Sequence, residues 1–175
     1  FCNFSLFQSM PDHWAIDQSF PIIPIDRLDE KPDRRAVLVD LTCDSDGKVS
    51  HYISAMDDKS FLPVHSLEDG KPYYLGFFLM GAYQDIMGDT HNLFGRVPEV
   101  HVYADAEEPG NFWIERMIPG ATVHEMLAHV QYFPNDLSRR MSDIVKRKID
   151  AGHVRPSMGM EILAQYVASF NGTTY

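Results

Sequence analysis

The spacing of apolar positions changes along the chain. Up to about residue 118 the apolar residues fall in short runs broken by turn residues, and beyond it they recur at helical spacing. Residues 1–7 (FCNFSLF) alternate roughly, with Cys2, Phe4 and Leu6 on one face of an extended segment. Residues 20–25 (FPIIPI) are apolar but carry Pro21 and Pro24, which suits an edge strand or an extended entry. The clearest strand is 36–43 (AVLVDLTC), with Val37, Val39, Leu41 and Cys43 on one face and Leu38 and Asp40 on the other. Asp46-Gly47 is a hairpin signal, and 48–54 (KVSHYIS) is the returning strand. A further strand is expected over 73–80, a helical turn over 83–88 closed by Gly88, and a strand pair over 99–104 and 111–117.

After Pro119-Gly120 the pattern predicts three helices. Thr122 and Glu125 form a capping box for the first, which runs to Val130. The second follows Pro134 with Asn135 as cap and extends through Ile149 to Gly152, and the third spans 156–170. Many short strands with turns between them suggest a barrel or sandwich. The expected class is therefore α+β, with a β-domain over 1–118 and a small helical domain over 119–175.

Composition narrows the functional classes. The chain has 175 residues, 45% of them hydrophobic, and a formal net charge of −10. That is enough for a core, and the acidic balance argues against nucleic-acid binding, which needs clustered Lys and Arg. A cationic small molecule is a better electrostatic match. No apolar run reaches the ~18 residues of a membrane span, and no secretory signal is evident, so no membrane partner and a cytoplasmic location are expected. Two cysteines, Cys2 and Cys43, are too few for a disulfide framework and fit a reducing compartment.

The candidate chemistry is concentrated in two loops. In Cys43-Asp44-Ser45-Asp46-Gly47 a thiol stands at the end of a strand beside two carboxylates, although an ordinary polar turn after a buried cysteine has the same composition. A calcium loop fails there: with Gly47 at its sixth position, Thr42 and Ile53 would occupy the places that need carboxylates. The second loop, His91-Asn92-Leu93-Phe94-Gly95, combines a base, an amide and an aromatic, and a structural turn reads the same way. His124 and His129 are five apart, not the four of a zinc-binding helix, and the charges of the second helix read as a solvated face. The glycines make no phosphate loop.

Read in order, the stretches FCNFSLFQSMPDHWAIDQ, LTCDSDG and YLGFFLMGAYQDIMGDTHNLFG resemble the carboxy-terminal part of the biosynthetic arginine decarboxylases. These belong to the alanine-racemase-like, fold type III pyridoxal-phosphate enzymes. The resemblance is strong from Phe1 to about Pro134 and looser through the helices to Tyr175. It implies an upstream (β/α)8 barrel carrying the cofactor lysine, with the site completed by a β-domain at the interface of a homodimer or higher homo-oligomer. None of the lysines here lies in such a context, so the chain alone is expected to be inactive.

By the same resemblance Cys43 is the residue that returns a proton to the substrate, and Asp44 receives the guanidinium of L-arginine through paired, charge-assisted hydrogen bonds. Asp46 either contacts substrate or holds the turn. Tyr83, in GAY, reaches the phosphate of pyridoxal 5'-phosphate, and His91 is a pocket candidate. Cys2 has no assigned role and reads as a packed thiol. Magnesium is a family expectation for which no ligand cluster is visible. Asp85 stands where many relatives carry Glu, and loop 105–110 looks variable. Alternatives are a relative acting on ornithine or diaminopimelate, an inactive enzyme-like binding protein, and a free-standing β-barrel interaction module. Asp44 after the cysteine disfavours diaminopimelate, whose enzymes tend to carry Glu there.

Overall fold

The computed structural model describes residues 1–53 and 60–175. It contains two compact units, Phe1–Asn92 and Leu93–Tyr175. The hairpin over residues 99–118 lies in the second unit, with the helices that follow it.

In the first unit the expected extended run of residues 1–7 gives way to helix at Leu6. Ser5 caps α1 (Leu6–Ser9) by accepting from the Gln8 N–H at 3.3 Å, and Pro11 opens α2 (Pro11–Ile16). A serine followed by residues without β-branching favours a helical turn over a strand. Cys2 and Phe4 nevertheless pack against the same core as Leu6.

The strands that follow are β1 (Ile22–Pro24), β2 (Arg34–Ala36), β3 (Leu38–Val39), β4 (Lys48–Val49), β5 (Leu62–Val64) and β6 (Leu75–Phe77). They pair antiparallel as β1 with β6, β2 with β5 and β3 with β4. Among the described residues every ladder has two strands, and the expected barrel or sandwich does not close. Prolines at Pro24 and Pro63 remove ladder donors, and side chains in place of strand partners take up neighbouring backbone groups. The Leu38 N–H, for example, donates to the Tyr52 hydroxyl at 2.8 Å, which itself donates to the Val49 carbonyl at 2.6 Å. Residue 54, the expected end of the returning strand, lies outside the described residues. The unit ends with α3 (Gln84–Met87), closed by Gly88 as expected, and a single 3-10 turn, His91–Leu93.

The expected strand over 36–43 is corrected in two ways. It divides into the ends of two ladders, and its buried face carries Leu38 and Asp40, leaving Val37, Leu41 and Cys43 exposed. Leu38 joins Leu6, Met10, Val49 and Tyr52 in the core. Asp40 follows it inward because backbone donors wait there for a carboxylate.

The second unit matches its pattern more closely. Strands β7 (Glu99–Ala104) and β8 (Phe112–Ile118) form a hairpin with an irregularity between His101 and Val102, and Tyr103 stacks on Trp113. Three helices follow: α4 (Val123–His129), α5 (Pro134–Asp150) and α6 (Pro156–Ser169). The predicted capping box is present, with the Glu125 N–H donating to Thr122 Oγ1 at 3.2 Å and the Thr122 N–H to Glu125 Oε2 at 2.7 Å. Asn135 is not the cap of α5. Pro134 already occupies the first helical position, where its missing N–H costs nothing, and Phe133 precedes it. No helix is long and apolar enough to cross a membrane among the described residues.

Candidate active site

The Cys43 loop is built around a carboxylate that the sequence reading did not single out. Asp40 is 2% exposed. One of its oxygens accepts from the Leu6 N–H at the start of α1, at 2.8 Å, and the other from the Thr42 N–H at 2.9 Å and the Thr42 hydroxyl at 2.8 Å. The Asp40 N–H donates to the Gly47 carbonyl at 2.8 Å, closing the loop at its base. Gly47 is required there by contact, since any Cβ would overlap the Asp40 carboxylate. A lone carboxylate within the apolar run AVLVDLTC was the available signal, because a charge in such a place must be met by donors.

Above this base, residues 41 and 43–46 are exposed. Asp44 Oδ1 accepts from the Asp46 N–H at 2.9 Å, and the Gly47 N–H donates to the Asp44 carbonyl at 3.1 Å, so the turn is held from within. Asp44 Oδ2 lies 3.6 Å from His91 Nε2. The Cys43 N–H donates to Asn92 Oδ1 at 3.0 Å. Asp46 Oδ2 accepts from the Trp14 indole N–H at 3.4 Å. The His91 ring rests on Phe7 at 4.6 Å between centroids, and Phe7 meets Trp14 edge-on at 5.3 Å. Phe7 is buried, so this aromatic row ties the exposed loop to the core.

Four of the five candidate residues, Cys43, Asp44, Asp46 and His91, thus converge on one exposed surface. Cys43 was expected to end a buried strand and is instead exposed. Tyr83 is positioned by a different element. It precedes α3 in a left-handed conformation (φ 64°), just after Gly81 (φ 122°), and is 76% exposed. Gln84 anchors that turn from inside, accepting from the Asp12 N–H at 3.4 Å and donating to Asp12 Oδ2 at 2.6 Å. Cys2 is half-buried, packs against the core, and burial pushes its thiol pKa up. Among the described residues no group of three or more His, Cys, Asp and Glu side chains is arranged to hold a metal.

Residues 123–175 match the family model for the arginine decarboxylase C-terminal helical extension. Over all of its length the chain is 53% identical to the biosynthetic arginine decarboxylase of Bacteroides thetaiotaomicron and 45% identical to that of Gloeobacter violaceus. The crystal structure of the biosynthetic arginine decarboxylase from Campylobacter jejuni superposes with a TM-score of 0.79 at 36% identity, over 99% of this chain. Along its whole length the chain is similar to the carboxy-terminal part of the biosynthetic arginine decarboxylases. It spans 27% of the Bacteroides relative and 28% of the Campylobacter chain, and corresponds to the carboxy-terminal portion of the larger enzyme. Within the family frame, α4 to α6 are the helical extension, and the Cys43 and His91 loops lie upstream of it. The residues missed in the sequence were Asp40, which holds the loop at its own base, and Phe7 and Trp14, which reach it from a distance in sequence, while Asn92 was noted only as part of the second loop.

Proposed function

We propose that this chain supplies one wall of the active site of an arginine decarboxylase, which converts L-arginine to agmatine and carbon dioxide for polyamine synthesis. The observation that carries the reading is the exposed Cys43-Asp44-Asp46 surface braced on a buried base, in a chain whose relatives are named biosynthetic arginine decarboxylases. An exposed thiol and carboxylates on a rigid support suit a substrate that another part of the enzyme holds.

Pyridoxal phosphate fits the residues present in a limited sense. The exposed Tyr83 side chain offers a hydroxyl for the phosphate, and Cys43 is open to a reacting carbon, while the cofactor lysine and phosphate loop belong to the upstream (β/α)8 barrel. When bound, the cofactor supplies the electron sink for loss of carbon dioxide. Asp44 binds the substrate guanidinium, exchanging its long contact with His91 for a charge-assisted fork. Carbon dioxide departs and leaves its bonding electron pair at the α-carbon. The Cys43 S–H bond then breaks, its proton forms the new C–H bond, and the thiolate recovers a proton from water. His91 lines the pocket beside Asp44, and Asp46, tied to Trp14, holds the turn. Among the described residues no donor set is assigned to magnesium.

In this reading the two-stranded ladders of residues 1–118 are part of a fold type III β-domain, completed by strands elsewhere in the enzyme. Residues 119–175 are its helical extension, the loop serves the cofactor of a neighbouring subunit in a homodimer or larger assembly, and the enzyme works in the cytoplasm. The test is carbon dioxide and amine release by the full-length enzyme with pyridoxal phosphate, offered arginine, ornithine, lysine and diaminopimelate. Release from arginine alone is expected, and Asp44→Ala should raise KM for arginine by about 10- to 100-fold, the worth of a hydrogen bond to a charged group. Preference for an amine-ended substrate would replace arginine in this reading. Bound cofactor with no turnover of any of the four would leave an enzyme-like binding protein.

A further inference from the structure

We infer that Asn92 is the positioning residue of Cys43: through its side-chain oxygen it fixes the backbone from which the proton-donating thiol projects. The inference rests on the arginine decarboxylase reading and adds to it a residue for which that reading has no role.

Residues at the two ends of the Cys43 loop are held by Asp40, through the Thr42 N–H on one side and the Gly47 carbonyl on the other. The apex is served by a different element. The Cys43 N–H donates to Asn92 Oδ1 at 3.0 Å across 49 positions of sequence. Adjacent residues of one short turn therefore engage adjacent residues of the loop, with Asn92 on Cys43 and His91 facing Asp44 at 3.6 Å. That turn is itself anchored, because the His91 ring lies against the buried Phe7 and the Asp89 N–H donates to the Phe7 carbonyl at 2.9 Å. The clasp thus connects the exposed thiol to the core through few rotatable bonds.

The backbone at Asn92 explains the residue type. Asn92 has φ 55° and ψ 24°, and Leu93 after it is also left-handed at φ 62°. Asparagine tolerates this left-handed conformation better than other residues with a Cβ, while glycine tolerates it fully and has no side chain. If only the turn mattered, glycine would serve. Asparagine combines tolerance of this backbone with a short neutral side chain that presents an acceptor. Proton transfer is steep in donor position, so a thiol on an untethered loop would still meet the substrate but would deliver its proton inefficiently.

The test compares Asn92→Gly, which keeps the turn and removes the acceptor, with Asn92→Asp, which keeps both, in the full-length enzyme. Two readouts are taken: hydrogen exchange of the Cys43 amide, which needs no turnover, and agmatine formed per carbon dioxide released. For Asn92→Gly the Cys43 amide is expected to exchange at least about tenfold faster, with agmatine per carbon dioxide falling below one and KM for arginine within about twofold, since Asp44 keeps its own anchors. Asn92→Asp should restore both readouts towards the parent. Parent-like exchange and stoichiometry in Asn92→Gly would overturn the inference, as would equal loss of both products with a raised KM. An unmutated enzyme that releases nothing from arginine would instead overturn the functional reading, and the exchange comparison would still decide whether Asn92 holds Cys43.

Discussion

Each of the two compact units is held together internally by its own kind of contact. In Phe1–Asn92 regular structure is short, and backbone groups are taken up by side chains distant in sequence: Leu6 by Asp40, Leu38 by Tyr52 and Ser66 by Asp33. These contacts surround a cluster of Leu6, Met10, Leu38, Val49, Tyr52 and Leu62. In Leu93–Tyr175 most backbone bonds fall within a hairpin and helices, and the buried apolar side chains are Met126 and Phe170. Its long-range ties gather at one place, where Gly95 donates to Thr174 at 3.0 Å and accepts from the Tyr175 hydroxyl at 2.7 Å. The difference bears on function. In the proposed reading, the loop that presents the Cys43 thiol is supported at its base by a buried, long-range bond, whereas the helices of the extension rest mainly on local ones.

The strongest challenge to this contrast is Asp40→Ala. It should destabilise the first unit by about 2–4 kcal/mol, because the Leu6 and Thr42 N–H groups lose their acceptor inside the protein. Denaturant unfolding followed by exchange of residues 38–47 would measure it. A loss confined to surface values would mean that the loop is held by its own turn bonds.

Thr122→Ala in the second unit should cost less, about 1 kcal/mol, through the local cap of α4. The same cap predicts a pH response. The hydrogen bonds from Thr122 hold the Glu125 carboxyl below its ordinary value. A lowered folded value means that its contribution is complete above the ordinary carboxylate range and disappears as pH falls through the folded value. Acid titration of helicity should therefore show a loss in the parent and in Thr122→Ala, whose residue 122 keeps its backbone donor, that Glu125→Gln lacks. An equal loss in Glu125→Gln would assign the acid response to another group.

The smallest effect is expected from Arg139→Ala on α5. Its guanidinium meets Asp136 at 2.8 Å on an exposed helix face, a pair worth roughly 0.2–0.5 kcal/mol and weakened further by salt. A shift beyond 1 kcal/mol in thermal unfolding would show that this face is covered by another part of the assembly.

What the sequence determined by itself is the locally encoded part. The capping box, the Pro-led helices, the hairpin over residues 99–118 and the turn closed by Gly88 follow from spacing and residue type, since their bonds join near neighbours. The motifs around Cys43 and His91 also identified the two loops that belong together, through resemblance and not through any periodicity. Tertiary structure decided which face of 36–43 turns inward, because a buried Leu38 beside Leu6 and Val49 outweighs the alternation of Val37, Val39 and Leu41. It also decided that Asp40 is the base of the loop and Asn92 its clasp. Those bonds span 34 and 49 positions, and no local pattern in a sequence specifies a partner at that distance.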